Sequence, residues 1–258
     1  MNTLRSRLLH GELVTGTMLS EIYTPNIVRI LKCAQFDCLF VDCEHGCFDF
    51  AQLANLAVTG RGFGMGIIVR VPSIQREFIT KVLDMGVDGL LLPQTDTPEL
   101  ARRAVEYSRY APQGKRGVAL TRSHSGYQVS DPAEYAREAN ENLILLAQIE
   151  SRQGADNARS ILEVDGIDGL LIGPNDLAAD CGVFGQTFSE SVRSRAEAVL
   201  ELAREQGRPC GIAGSNVKQL AYWKARGMTL FCLGSEIHML LAAAGECRRK
   251  FLEACARA

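Results

Sequence analysis

Two apolar runs in the middle of the chain close on acids. Leu143-Ile144-Leu145-Leu146-Ala147-Gln148-Ile149 ends on Glu150, and Gly169-Leu170-Leu171-Ile172 runs into Gly173-Pro174-Asn175-Asp176. Runs this short and aliphatic, bounded by polar residues, read as buried parallel strands. A carboxylate has no place inside such a strand but suits its C-terminal rim, where α/β proteins carry their chemistry. Two acids on neighbouring rims can hold a divalent cation between them, and open positions beside them suit a hard ion such as Mg²⁺ or Mn²⁺. The competing reading is that one acid pairs with a nearby arginine such as Arg152.

Other polar residues close other apolar runs. Arg70 follows Ile67-Ile68-Val69, and a guanidinium there is a natural clamp for a carboxylate or phosphate because its fork matches those oxygens. The alternative is an ion pair with a structural acid such as Glu44. His45 follows Asp42-Cys43-Glu44 and is one of four histidines. An imidazole with an unperturbed pKa of about 6.5 suits proton transfer at neutral pH, although a lone histidine is more often structural. Asp84, in Leu83-Asp84-Met85-Gly86, is a carboxylate that could orient His45 and fix its tautomer, but sequence alone does not bring the two together. Cys43, His45 and Cys47 offer three soft ligands without the C-x₂-C spacing that zinc sites prefer, and a nucleophilic cysteine is the weaker reading. The lysines are Lys32, Lys81, Lys115, Lys218, Lys224 and Lys250. None falls in an apolar run, which disfavours an imine mechanism built on a strand-end lysine.

These residues need a frame. Apolar runs predict strands at 13–19, 38–43, 65–71, 89–93, 143–149, 169–172, 209–213 and 230–233. Helical spacing falls between them at 20–32, 50–59, 73–85, 98–110, 154–162, 189–206 and 217–226, with an apolar helix from Ile237 to about Ala256 at the end. Eight β/α units in about 250 residues predict a TIM (β/α)₈ barrel. A doubly wound open sheet is the runner-up, but no G-x-G-x-x-G follows the first strand. The stretch 111–141 is long and rich in Gly, Ser, Arg and Gln, and reads as a lid over the acidic rim.

The 258 residues carry no Pro/Gly/Ser-rich linker, so one barrel domain over 1–258 is expected. With 47% apolar residues the chain can bury a large core. A net charge of −2 with interspersed signs gives no basic face for nucleic acid. No apolar run approaches ~18 residues, which argues against a membrane span. Residues 1–7 lead into no signal-peptide core, so the expected location is cytoplasmic. Most of the nine cysteines lie in apolar segments and read as small buried hydrophobes.

Several motifs appear together in one order: Asp42-x-Glu44-His45, Arg70-Val71-Pro72, Leu83-Asp84-x-Gly86 with Pro93, Arg109-Tyr110-x-Pro112-x-Gly114-x-Arg116-Gly117, Gln148-Ile149-Glu150 and Gly173-Pro174-x-Asp176-Leu177. Over about Gly16 to Gly234 this set resembles the HpcH/HpaI family of metal-dependent (class II) pyruvate aldolases, enzymes of aromatic and sugar-acid catabolism. The resemblance implies a phosphoenolpyruvate/pyruvate-type barrel that cleaves a 4-hydroxy-2-oxo acid to pyruvate and an aldehyde. It implies Glu150 and Asp176 as ligands of Mg²⁺, Mn²⁺ or Co²⁺, and Arg70 as the group that binds the pyruvate carboxylate and stabilises developing negative charge. It implies His45, paired with Asp84, as the group that activates a metal-bound water. Gln148, Gly173, Pro174, Asn175, Asp176 and Ala213 would line the substrate pocket. It also implies a hexamer, a trimer of dimers that exchange the last helix.

The chain departs from the family pattern at Gly46-Cys47-Phe48 after His45, at Gly211-Ile212-Ala213-Gly214-Ser215, and at 121–127. These positions would shape the aldehyde side. The alternatives are a CoA-ester lyase of the same superfamily and a non-catalytic ligand-binding barrel.

Overall fold

The runs read as strands are the staves of one closed barrel. In the computed structural model, which describes residues 3–257, the strands are β1 (Val14–Leu19), β2 (Cys38–Asp42), β3 (Gly66–Arg70), β4 (Gly89–Leu92), β5 (Ile144–Ile149), β6 (Gly169–Ile172), β7 (Cys210–Gly214) and β8 (Leu230–Ser235). All pair in parallel in chain order, and β1 pairs with β8 to close the ring. β2, β4, β5 and β6 are buried at every position. Helices cover the outer face and side chains fill the inner one, which is why these strands read as continuous apolar runs.

Strand parity decides what points inward. Cys38 and Phe40 of β2, Ile68 of β3, Ile144 and Leu146 of β5 and Leu171 of β6 pack together inside the barrel, while Leu39, Val41, Ile67, Val69, Leu145 and Ala147 face the helices. One step further along the inward rows stand Asp42, Arg70, Gln148 and Gly173. The polar rim is thus the inner face of the barrel continued to its C-terminal mouth.

The helices are α1 (Leu4–Leu9), α2 (Asn26–Cys33), α3 (Phe50–Phe63), α4 (Arg76–Asp84), α5 (Pro98–Ser108), α6 (Pro132–Asn142), α7 (Arg152–Asp156), α8 (Ala158–Leu162), α9 (Pro174–Asp180), α10 (Glu190–Glu205), α11 (Val217–Ala225) and α12 (Glu236–Cys255). Of these, α1, α6 and α9 were not read from sequence. Leu8 of α1 joins the cluster inside the barrel, so this helix plugs its base.

The expected lid is not one. The segment 109–143 leaves α5 rather than β4, and a helix that returns from a strand delivers the chain to the opposite, N-terminal end of the barrel. There Asp131 and Pro132 start α6, with the Asp131 side chain accepting from the N–H groups of Ala133 and Glu134. Asn140 ties the segment down, accepting from Tyr110 N at 2.8 Å and donating to Tyr110 O at 3.0 Å.

A buried acid holds the same end of the barrel shut. Asp168 accepts from Arg5 Nε and Nη2 at 2.9 and 2.7 Å, from Arg109 Nη2 at 3.2 Å and from Leu145 N at 2.8 Å. At the other extreme, α12 buries only Glu236 and exposes Leu240, Leu241, Phe251 and Leu252. Among the described residues, no helix is long and apolar enough to cross a membrane.

Asp168→Ala strands two arginines and an N–H group at once. It is expected to cost about 3 kcal/mol, the scale of breaking a buried ion pair on one side, read as a lowered urea midpoint with an unchanged slope.

Candidate active site

Asp42 and Arg70 are register partners on adjacent strands, and parity turns both inward. Asp42 Oδ1 accepts from Arg70 Nε at 2.9 Å and Oδ2 from Arg70 Nη2 at 2.6 Å. The same Oδ1 accepts the N–H groups of Glu44 and His45 at 3.0 and 3.2 Å. One carboxylate therefore sets both the guanidinium and the loop that carries the histidine. Burial acts to raise the Asp42 pKa, but the bonds and charge of Arg70, with the two loop N–H groups, outweigh it and hold the carboxyl below its ordinary range. Glu44 stands on the other side, its Oε2 3.2 Å from Arg70 Nη1 but without hydrogen-bond geometry. Of the two readings of Arg70, the ion pair is formed, with Asp42 more closely than with Glu44. Its fork is taken by Asp42, and Nη1 still has donors to offer at the mouth of the cavity.

Glu150 leaves β5 at the rim. Its Oε1 accepts Gln94 N–H at 2.7 Å, and Gln94 holds a left-handed backbone (φ 46°) to deliver it. Its Oε2 accepts from Gln148 Nε2. Gly173 belongs to this arrangement because a Cβ there would stand 2.8 Å from Glu150 Oε2 and 2.9 Å from Gln148 Nε2. Asp176 lies in the first turn of α9, which Pro174 starts just after β6. Burial pushes the Glu150 pKa up to about 7; the Gln94 N–H opposes the shift, and the nearby negative charges of Glu44 and Asp176 reinforce it.

Arg152 is bonded to Asp180, through its N–H at 2.7 Å and Nε at 3.1 Å, so it neutralises neither rim acid. Glu44 and Asp176 thus lie near enough to Glu150 for their charges to act on it, and Arg70 stands beside Glu44 with its fork bound to Asp42. Gln148 Oε1 is buried beside them without a partner. This donor set fits a hard divalent cation. Among the described residues no three His, Cys, Asp or Glu side chains are gathered as metal ligands. That leaves no cluster for the soft-metal reading of Cys43, His45 and Cys47, and two carboxylates leave coordination positions for water and substrate. The Cys43 thiol is pushed up to about 12, mainly by burial, which removes it as a nucleophile at neutral pH.

The site opens into a cavity of about 500 Å³ lined by Arg70, Gln148, Gly173, Pro174, Asn175, Asp176 and Ala213. His45 is exposed on the loop after β2. Asp84 does not join it. Asp84 ends α4 at the N-terminal end of the barrel, where it accepts from Arg116 Nη2 at 2.9 Å and lies 3.5 Å from His124 Nε2. The expected His45–Asp84 pair is therefore not formed within one chain, because His45 follows the end of β2 and Asp84 ends α4, and strand ends and helix ends lie at opposite mouths. Sequence reasoning also missed the hub role of Asp42, the Gln94 N–H, and the cavity residues Thr187, Gln219, Trp223 and His238. Parity along Cys38, Phe40 and Asp42 was the available signal for the first. Gln94, Thr187, Gln219 and His238 lie on loops and helix starts with no periodic signal, and Trp223, buried within α11, reads as ordinary core.

A parallel eight-stranded barrel with acids and a guanidinium at its C-terminal mouth carries its polar groups where barrel enzymes keep their chemistry. Residues 17–243 match the family model described as HpcH/HpaI aldolase/citrate lyase. The chain belongs to that family and is an enzyme of the aldolase class. It is 33% identical over 224 residues to the 5-keto-4-deoxy-D-glucarate aldolase of Citrobacter koseri, covering 87% of this chain and 86% of that one. The HpcH/HpaI aldolase of Desulfitobacterium hafniense superposes with a TM-score of 0.93 at 30% identity, over 96% of each chain. A HpcH/HpaI aldolase/citrate lyase family protein of Burkholderia cenocepacia gives 0.91 at 27% identity, over 97% and 99%.

The raised Glu150 pKa makes a signed prediction for metal-free protein. A carboxyl at about 7 when folded against 4.5 ordinarily favours the fold below the lower value and loses that contribution as pH rises through the upper one. Glu150→Gln should therefore gain up to about 3 kcal/mol relative to wild type between those pH values. Urea titrations in EDTA at about pH 5 and pH 8 read this directly. An unchanged difference would mean that the carboxyl ionises without cost.

Proposed function

We propose that the chain reversibly cleaves a 4-hydroxy-2-oxo acid to pyruvate and an aldehyde, with a divalent cation held by Glu150 and Asp176. The observation that carries this reading is Glu150, buried within reach of the charges of Glu44, Asp176 and Arg70, beside a cavity lined by Arg70, Gln148 and Asp176. Mg²⁺, Mn²⁺ or Co²⁺ suits the oxygen donors. When bound, such an ion polarises the 2-oxo group as a Lewis acid.

The chain's own residues do the rest. Arg70 offers the donors that Asp42 leaves free to the substrate carboxylate, and its positive charge favours the electron-rich enolate over the neutral keto form. Gln148 and the Gly173–Asn175 turn wall the keto-acid end, and Ala213 leaves room across from them. His45 takes the proton of the 4-hydroxyl, directly or through a water. The C3–C4 bond then breaks, its electron pair passes into the 2-oxo system, and the 4-carbon departs as the aldehyde. Returning the proton to C3 gives pyruvate. The lysines all lie on helices or in loops, which supports a route without an imine. Asp84 has no part in these steps within one chain.

The exposed apolar face of α12 is assigned to a second copy of the chain, in a hexamer built as a trimer of helix-exchanged dimers. Free cysteines throughout suit the cytoplasm.

Two outcomes test the reading. Pyruvate release from a 4-hydroxy-2-oxo acid should stop in EDTA and return with Mn²⁺ or Mg²⁺, whereas Glu150→Ala should stay inactive at any metal concentration; metal-independent turnover sinks the proposal. His45→Ala should still bind Mn²⁺, seen by calorimetry, but lose roughly 10²–10⁴-fold in kcat, the usual worth of a general base. Unchanged kcat would remove His45 from the mechanism.

A further inference from the structure

His45 is exposed, so burial does little to fix its ring, and the place of the imidazole depends on how the turn that carries it is tied. Asp42 Oδ1 holds one side of that turn through the N–H groups of Glu44 and His45. The other side is held by a different loop, the one between β1 and α2. Cys47 N–H donates to Ser20 O at 3.3 Å. The Cys47 thiol lies 3.7 Å from the same Ser20 O and 3.7 Å from Glu21 Oε2. Gly46 permits this approach, because a Cβ there would stand 2.2 Å from Asp42 O and 2.9 Å from Ser20 O.

The β1–α2 loop is in turn held from behind. Glu236, the first residue of α12, is buried. Its Oε1 accepts the N–H groups of Ser20, Glu21 and Ile22 at 2.8, 2.7 and 3.2 Å, and its Oε2 accepts from Ser20 Oγ at 3.4 Å. Bonds from N–H groups to a carboxylate are among the stronger ones. A buried carboxylate satisfied by a loop backbone also resists movement of that loop, since each departure leaves charge unpaired. Glu236 therefore fixes Ser20, and Ser20 O fixes the far side of the His45 turn.

We propose that Glu236 is a positioning residue for His45, acting through the Ser20–Ile22 backbone and Cys47. The ties at Gly46 and Cys47 fall where the chain departs from its family's pattern, so this support is built from residues particular to this chain. The proposal rests on the proton-transfer role given to His45 and deepens it, since it names what holds that group against the rim.

The test is a double-mutant cycle on the Mn²⁺-loaded enzyme, read by pyruvate release. Glu236→Ala should lower kcat about 10- to 100-fold, the scale of a reacting group displaced by about 1 Å. KM and the Mn²⁺ affinity measured by calorimetry should stay at wild-type values. Glu236→Gln keeps an oxygen for the three N–H groups and should return most of kcat. In a His45→Ala background, Glu236→Ala should cause no further loss, because its effect passes through the imidazole. An equal loss in that background, or unchanged kcat in Glu236→Ala alone, overturns the proposal. Hydrogen exchange read by mass spectrometry answers independently of turnover and, in the wild type, of how any variant folds. Under mild denaturant the Cys47 amide should open together with those of Ser20, Glu21 and Ile22, and Glu236→Ala should speed all of them. If Cys47 keeps its protection while residues 20–22 lose theirs, the link is absent and the proposal falls, whatever the enzyme catalyses. A wild type that releases no pyruvate overturns the aldolase reading instead, and the exchange pattern still decides whether Glu236 holds the turn.

Discussion

Three carboxyl groups and one guanidinium share the mouth of a barrel whose interior excludes water, and the geometry of the site follows from keeping them there. Burial raises Glu150 to about 7 and raises Glu44 as well, with Arg70 partly opposing it. Arg70 cannot answer for all of them, since Asp42 already takes its fork. Like charges in a medium of low dielectric repel strongly, and the Gln94 N–H and the Gln148 amide hold Glu150 in place against that repulsion.

The second constraint is that one acid has two duties. Asp42 sets the plane of Arg70 and, with the same oxygen, the turn that presents His45. Glu236 does comparable service on the next loop, where its Oε1 accepts the N–H groups of Ser20, Glu21 and Ile22 at 2.8, 2.7 and 3.2 Å. That bond anchors the start of α12 to the β1–α2 loop, so the one buried residue of the exposed helix fastens it to the active-site rim.

Strand positions and rim residues were legible in the sequence because burial on both faces imposes continuous aliphatic runs, and an acid or arginine that ends such a run can only sit at its mouth. Glu150, Asp176, Arg70 and Gln148 were found this way. The other end of the barrel was not legible. Its order comes from side chain to backbone contacts such as Asn140 with Tyr110, which leave no periodic trace, and α6 is a mostly polar helix whose apolar stripe is weak. Asp84 stands apart from His45 within one chain for a related reason: a motif gives the order of residues along the chain, whereas the mouth to which each is delivered depends on whether it ends a strand or a helix.

Asp42, Arg70, Gln148 and Gly173 stand at the ends of β2, β3, β5 and β6, while other residues that line the cavity follow β6, β7 and β8. The two sets occupy different arcs of one circumference, and each strand is joined to its neighbours by backbone bonds that do not depend on what its tip carries. The arc after β7 and β8 can therefore drift in sequence while the opposite arc stands still. A fold built this way can change what one side of its cavity accepts by exchanging a few loop residues, without rebuilding the other side.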